Sequence, residues 1–89
     1  MKTYQKGLKK TKNFLKTNPE PKIRDVCSSA GLTDKETEMI ILRFRKGKDR
    51  DFASYKLGMS SGRHSVKMTL ILNIIKKALV SLGMIDEDE

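Results

Sequence analysis

The chain is poor in the residues that build disulfides and metal sites. Among its 89 residues it has one cysteine, one histidine and no tryptophan. A single cysteine cannot form a disulfide within the chain, and nothing in the sequence requires an oxidising compartment. Since no second histidine or cysteine stands at ligand spacing, we expect no metal ion and no other cofactor. We expect Cys27 to pack as a small buried hydrophobe.

Long apolar runs and catalytic motifs are also missing. No stretch approaches the roughly 20 apolar residues of a membrane span, and no apolar run follows the N-terminal lysines as in a signal peptide. We therefore expect a cytoplasmic protein without a membrane partner. The six glycines are scattered along the chain, and no glycine-rich phosphate loop is present. A single small domain with a thin core is expected, and we predict that it is not an enzyme.

Positive charge is what the sequence has in excess. The formal net charge is +8, which makes a polyanion the first partner to consider. Residues 1–17 contain six lysines and no acidic residue, whereas residues 86–89 are all acidic. We divide the chain into a basic N-terminal helix (1–17), a central helical domain (21–82) and an acidic tail (83–89).

Apolar residues recur at helical spacing in five segments, and no alternating pattern predicts a strand. The sequence therefore predicts an all-α fold, a small bundle of about five helices. The first helix should span about Lys2 to Lys16, with Tyr4, Leu8 and Leu15 on its apolar side. The others should begin at Pro21, after the capping box of Thr33 and Glu36, after Asp49, and after Ser60 or Ser61, and should end near Gly31, Gly47, Gly58 and Leu82.

The fifth predicted helix has two apolar stripes, where a helix wetted on one side needs only one. One stripe consists of Met68, Ile71, Ile75, Leu79 and Leu82. The other, offset by about 100°, consists of Val66, Leu70 and Ile74. Two apolar stripes predict that other helices pack against this helix on two sides. The second cover is either the N-terminal helices of the same chain or a second copy, which would make a homodimer through Val66, Leu70 and Ile74.

The segment LTDKETEMIILRFRKG, residues 32–47, resembles the opening of region four of bacterial sigma factors and the output domains of response regulators. The matching residues are Leu32, Thr33, Glu36, Met39, Ile40, Leu42, Arg43, Phe44 and Gly47. The resemblance extends to about Leu79. It implies a helix-turn-helix domain in which the helix after Gly58 enters the major groove of double-stranded DNA. It also implies a small free-standing regulator of the kind found in bacteria, phages and mobile elements.

Two features depart from that pattern. Counting on from Gly58, the next apolar positions fall on His64 and Lys67, whereas Val66 and Leu70 fit only if the turn is about two residues longer than usual. In addition, Asp51 lies where the first amides of a helix normally rest on a phosphate, so its charge has the wrong sign.

The start of a recognition helix is where side chains reach base edges. We therefore predict DNA contacts there, with phosphate contacts from cations before the fourth helix and on the first helix. We expect His64 to be a neutral hydrogen-bonding surface group. The predicted DNA-binding residues are Ser61, Arg63, His64 and Lys67, then Lys48 and Arg50, then Lys9 and Lys10.

The expected function is a DNA-binding transcription regulator. Two alternatives remain open at this point. The chain could bind RNA polymerase as a modulator of the same fold without sequence-specific DNA binding. It could also use the fold as an accessory protein in phage DNA packaging or recombination.

Overall fold

The computed structural model of the chain describes residues 8–85, and every regular element in that range is a helix. This confirms the predicted all-α bundle. Predictions about residues 2–7, including Tyr4, and about the acidic residues 86–89 lie outside the described residues. The elements are α1 (Lys9–Thr17), α2 (Glu20–Ser29), α3 (Asp34–Ile40) with a π-helical continuation (Ile41–Arg45), α4 (Arg50–Leu57) and α5 (Ser61–Ser81).

The predicted capping box begins α3. The Thr33 hydroxyl accepts a hydrogen bond from the Glu36 backbone N–H at 3.1 Å, and the Glu36 carboxylate accepts one from the Thr33 N–H at 2.9 Å. These two bonds satisfy amides that no preceding helical turn can satisfy. The accepted backbone N–H and the ammonium of Lys67 both lower the pKa of Glu36.

Single side chains cap the next two helices. The Asp49 carboxylate accepts from the Phe52 N–H at 2.8 Å, as predicted. At the start of α5, the Ser60 hydroxyl accepts from the Arg63 N–H at 3.2 Å. The cap of α5 is therefore Ser60 and not Ser61, which leaves Ser61 as the first helical residue.

Three predicted helix boundaries were wrong. The helix expected from about Lys2 begins at Lys9, with Leu8 as its N-cap. The second helix begins at Glu20, so Pro21 is its second residue, where a missing N–H still costs nothing. The third helix does not stay α-helical up to Gly47. From Ile41 it widens into a π-helical turn, in which the Lys46 N–H donates to the Ile41 carbonyl five residues back at 2.9 Å.

The core forms around α5, which contacts each of the other four described helices. Its first stripe is buried as predicted, except for Leu82, which is 51% exposed and lies one residue past the end of α5. Helices α1, α2 and α3 complete the core. Its buried members are Leu8, Leu15, Ile23, Val26, Cys27, Met39, Ile40, Ile41, Met68, Ile71, Leu72, Ile75 and Leu79.

The second stripe of α5 is not covered within the described residues. Val66, Leu70 and Ile74 are 65%, 60% and 43% exposed. The described N-terminal helices α1 and α2 therefore do not provide the second cover.

Cys27 is completely buried on α2, as predicted. Burial raises the pKa of its thiol to about 11, so the group stays protonated at neutral pH. A protonated, inaccessible thiol is neither a nucleophile nor a metal ligand, which leaves Cys27 a packing role.

Candidate nucleic-acid interface

Helices α4 and α5 are joined by three residues, Gly58, Met59 and Ser60. Gly58 has φ +70°, a left-handed conformation that closes α4 without a Cβ penalty. The Met59 N–H then donates back to the Ser54 carbonyl at 2.9 Å. Small side chains allow the two helices to approach, since Ala53 and Ser54 are both buried. The result is a tight corner between two packed helices.

The sequence left two registers open for this corner, and the structure has the shorter one. A turn longer by about two residues would have buried Val66 and Leu70, and both are exposed. The chain instead keeps the shorter count, in which His64 occupies the apolar position, and His64 is 0% exposed. In the helix-turn-helix pattern this position is apolar, and here it is a histidine, one turn before the buried Met68.

His64 is therefore not a surface group, and it cannot reach DNA from this position. Neither ring nitrogen has a hydrogen-bond partner among the described residues. Burial lowers the pKa of His64, and the nearby charges of Arg43 and Arg50 lower it further. The imidazole is neutral at neutral pH and fills space between α5 and its neighbours.

Two side-chain hydrogen bonds hold the start of α4 against the start of α5. The Ser61 hydroxyl donates to the Asp51 carboxylate at 2.9 Å, and the Arg50 guanidinium donates to the Ser65 hydroxyl at 3.1 Å. Asp51, the residue of unfavourable sign, is thus a partner of Ser61. Ser61 is half-buried and Arg50 exposed, so both predicted contact residues also fix the angle between the helices.

Three cations lie beside the corner. Lys35, Arg63 and Lys67 line one open groove together with Gly58, Met59 and Ser60, and we call this set the corner site. Lys67 forms an ion pair with Glu36, at 3.0 Å between ammonium and carboxylate. Arg63 is exposed. One carboxylate against three cations leaves the corner site positive.

Sequence reasoning missed two residues of this region. Lys35 belongs to the first turn of α3, and no spacing in the sequence relates that turn to α5. Val66 lies three residues after Arg63 and Leu70 four residues further on, so the three share the exposed face of α5. The spacing from Arg63 was visible in the sequence, but Val66 had been assigned to a covered stripe.

Lys48 lies just before α4 in the chain. Its ammonium is 5.1 Å from the centre of the Phe52 ring, within the range of a cation–π contact. Both side chains are exposed. Lys48 is therefore positioned by an aromatic face and still open to solvent.

The predicted contacts Lys9 and Lys10 lie in a different place. With Lys12 and Lys16 they line an open groove between α1 and the residues that follow α5, Gly83, Met84 and Ile85; we call it the lysine groove. It is at the end of α5 opposite to Arg63, and a helix of 21 residues is about 30 Å long. The structure thus divides the predicted site into two surfaces.

The two surfaces differ in their charge. None of the described residues that line the lysine groove is acidic. The Arg45 guanidinium adds charge at one end of α1, where it donates to the Lys16 carbonyl at 2.6 Å. Four lysines and no described acid make the groove a cationic surface suited to a polyanion of any sequence.

Comparison of the chain with protein-family models, with curated proteins and with solved structures finds no match. Within residues 8–85, no group of three His, Cys, Asp or Glu side chains is arranged to hold a metal ion. No helix of that range has both the length and the apolarity to cross a membrane. The structure defines a class only: a small, basic, all-α bundle with two separate cationic surfaces.

Proposed function

We propose that the chain is a DNA-binding transcription regulator in which α4, the turn Gly58–Ser60 and α5 act as a helix-turn-helix. The observation that supports this most is the corner itself. A turn of three residues joins two packed helices, with an interior residue at His64 and an exposed arginine, Arg63, one residue earlier. A helix held in this way can place its first turns in a major groove.

The exposed face of α5 supplies the base contacts in this proposal. Arg63 has the geometry to donate two parallel hydrogen bonds to guanine, and Val66 offers an apolar surface to a thymine methyl group. Lys35 and Lys67 line one groove with Arg63, and together with the exposed Lys48 before α4 they neutralise phosphates. Ser61 keeps its proton on Asp51, so its remaining lone pairs can only accept, and they suit the amino group of a base edge.

The lysine groove supplies the sequence-independent part of the affinity. It lies about 30 Å along α5 from Arg63, close to the ~34 Å of one turn of B-DNA. Lys9 and Lys10 would therefore contact backbone away from the bases that Arg63 contacts. Contacts of this kind strengthen binding to every sequence alike and weaken steeply as salt rises.

Selection of bound fragments from random DNA at physiological salt tests the proposal. We expect a shared sequence motif among the recovered fragments. Selection at low salt would not test sequence specificity, because a protein of net charge +8 binds any DNA at low salt. Recovery of fragments without a shared motif would contradict sequence-specific binding.

A second candidate follows from a specific observation, the exposed apolar row of Val66, Leu70 and Ile74 on α5. A solvent-facing apolar row fits a protein partner, either RNA polymerase or a second copy of the chain. Pull-down of core polymerase in the absence of DNA tests the first. Light scattering at two concentrations, with Ile74→Lys as the control, tests the second. A packaging or recombination role would use the same DNA contacts as the regulator.

A further inference from the structure

The chain leaves α5 inside the lysine groove. The Gly83 and Met84 amides donate to the carbonyls of Val80 and Leu79 at 3.0 and 2.9 Å, which fixes the turn after the helix. Ile85 then packs against the hydrophobic core, as Phe14 of α1 does, and lines the groove itself. The last described residue, Ile85, is therefore beside the lysines of α1.

Chain length confines the acidic residues to this neighbourhood. An extended chain advances at most about 3.6 Å per residue, so the four residues after Ile85 reach about 14 Å. This is close to the ~13 Å length of α1, which has nine residues. The corner site, about 30 Å away along α5, is beyond their reach.

The charges of the acidic segment and of the lysine groove are also complementary. Residues Asp86 to Glu89 supply four carboxylates, and four lysines line the groove, with no acid among its described lining residues. We propose that the acidic segment Asp86–Glu89 occupies the lysine groove as an intramolecular mimic of a phosphate backbone, and that DNA must displace it to reach the lysines. The contact itself stands without the proposed function, but its effect on DNA binding rests on it.

Such a contact acts as a competitor of moderate strength. Ion pairs at an open surface are individually weak and are screened by salt. The short tether compensates, because it holds the carboxylates at a high effective concentration. Only the lysine groove is affected, while the corner site stays open. The segment therefore weakens binding to every sequence by about the same factor, and only duplexes that also engage the corner site keep substantial affinity.

Zero-length carbodiimide cross-linking tests the contact in the unmodified chain. At low salt we expect isopeptide bonds that join Asp86–Glu89 to lysines of α1, mapped by peptide mass spectrometry, and far fewer at high salt. The exposed carboxylates of Asp25 and Asp34 are the internal control. If the α1 lysines link to the control carboxylates as often as to the acidic segment, the contact is refuted.

Competition is tested by neutralising charge in matched pairs. Asp86→Asn with Glu87→Gln adds the same charge as Asp25→Asn with Asp34→Asn. We expect the first pair to raise affinity for random-sequence duplexes at low salt on the order of tenfold more than the second. The extra gain should disappear when the four groove lysines are changed to glutamine. Thermal melts of each variant confirm that the fold is kept.

Two results would overturn the proposal. Equal gains from the two pairs would show an effect of net charge alone. A gain that survives in the glutamine background would show that the segment acts somewhere other than the groove. Failure of the proposed function can be told apart from failure of the contact. Cross-links without any DNA binding would refute the DNA-binding role and support the contact.

Discussion

The two cationic surfaces of this small bundle are built in opposite ways. In the corner site and beside it, cations and hydroxyls have fixed partners: Lys67 with Glu36, Ser61 with Asp51, and Arg50 with Ser65. The lysine groove gathers four lysines along one helix, and none of its described lining residues is acidic. The two hydrogen bonds between α4 and α5 fix the angle at which α5 presents the exposed Arg63, which base recognition needs. Density of charge is sufficient for contact with a backbone.

The largest effect on recognition should come from Arg63→Ala. If the corner site recognises bases, this change costs about 1–3 kcal/mol on the selected sequence and relaxes preference at one base pair. Lys77→Ala is the matched control, since it removes one exposed cation from the other end of α5. Competition gel shifts over single-base variants of the selected site measure both. Equal losses of affinity and of base preference for the two variants would contradict separate roles for the two surfaces.

A smaller and more uniform effect is expected from Lys10→Ala in the lysine groove. Loss of one phosphate contact should weaken binding to all sequences by somewhat less than tenfold at physiological salt and make the salt dependence shallower by about one unit. Fluorescence anisotropy over a salt series measures the slope. A change in base preference from this substitution would show that the groove is not independent of sequence.

Gly58→Ala tests how far the corner site depends on its turn. The residue has φ +70°, and a Cβ there would meet nothing within 4 Å. The cost is therefore conformational, about 1 kcal/mol in the free energy of unfolding. Urea denaturation measures it. Binding to random sequence, which depends on the lysine groove, should change little, and a parallel loss there would argue against separate surfaces.

The smallest effect at neutral pH is expected from substitution of His64, because this residue changes the free energy of unfolding only when the pH falls. Its pKa is lowered in the folded chain, so the unfolded chain binds the proton more readily below its ordinary value of 6.5. The free energy of unfolding should therefore fall as pH drops below about 6.5. His64→Gln cannot titrate and should reduce this dependence. Denaturation midpoints of both chains between neutral and mildly acidic pH provide the comparison, and identical pH profiles would contradict it.

Local chemistry could be predicted from the sequence, and most of it was. The capping box at Thr33, the cap at Asp49 and the left-handed stop at Gly58 depend on neighbours within a few residues. The apolar positions of α5 from Met68 to Leu79 follow from helical period alone. All of these features are fixed by short-range geometry, which a sequence displays directly.

Features that depend on tertiary distance could not be predicted in the same way. The burial of His64 contradicts its polarity and follows from the corner that places it inside. The approach of Lys35 to α5 and the removal of Lys9 from it both depend on how the helices cross. The resemblance to sigma factor region four begins at Leu32, so it could not place the lysines of the first helix relative to α5.

The most direct test of two surfaces with separate tasks is an NMR titration of the chain with two duplexes, one selected and one random. We predict that amides of α1 shift with both duplexes, whereas those around Arg63 and Val66 show large shifts with the selected duplex alone. Identical shifts at both surfaces with both duplexes would contradict the account.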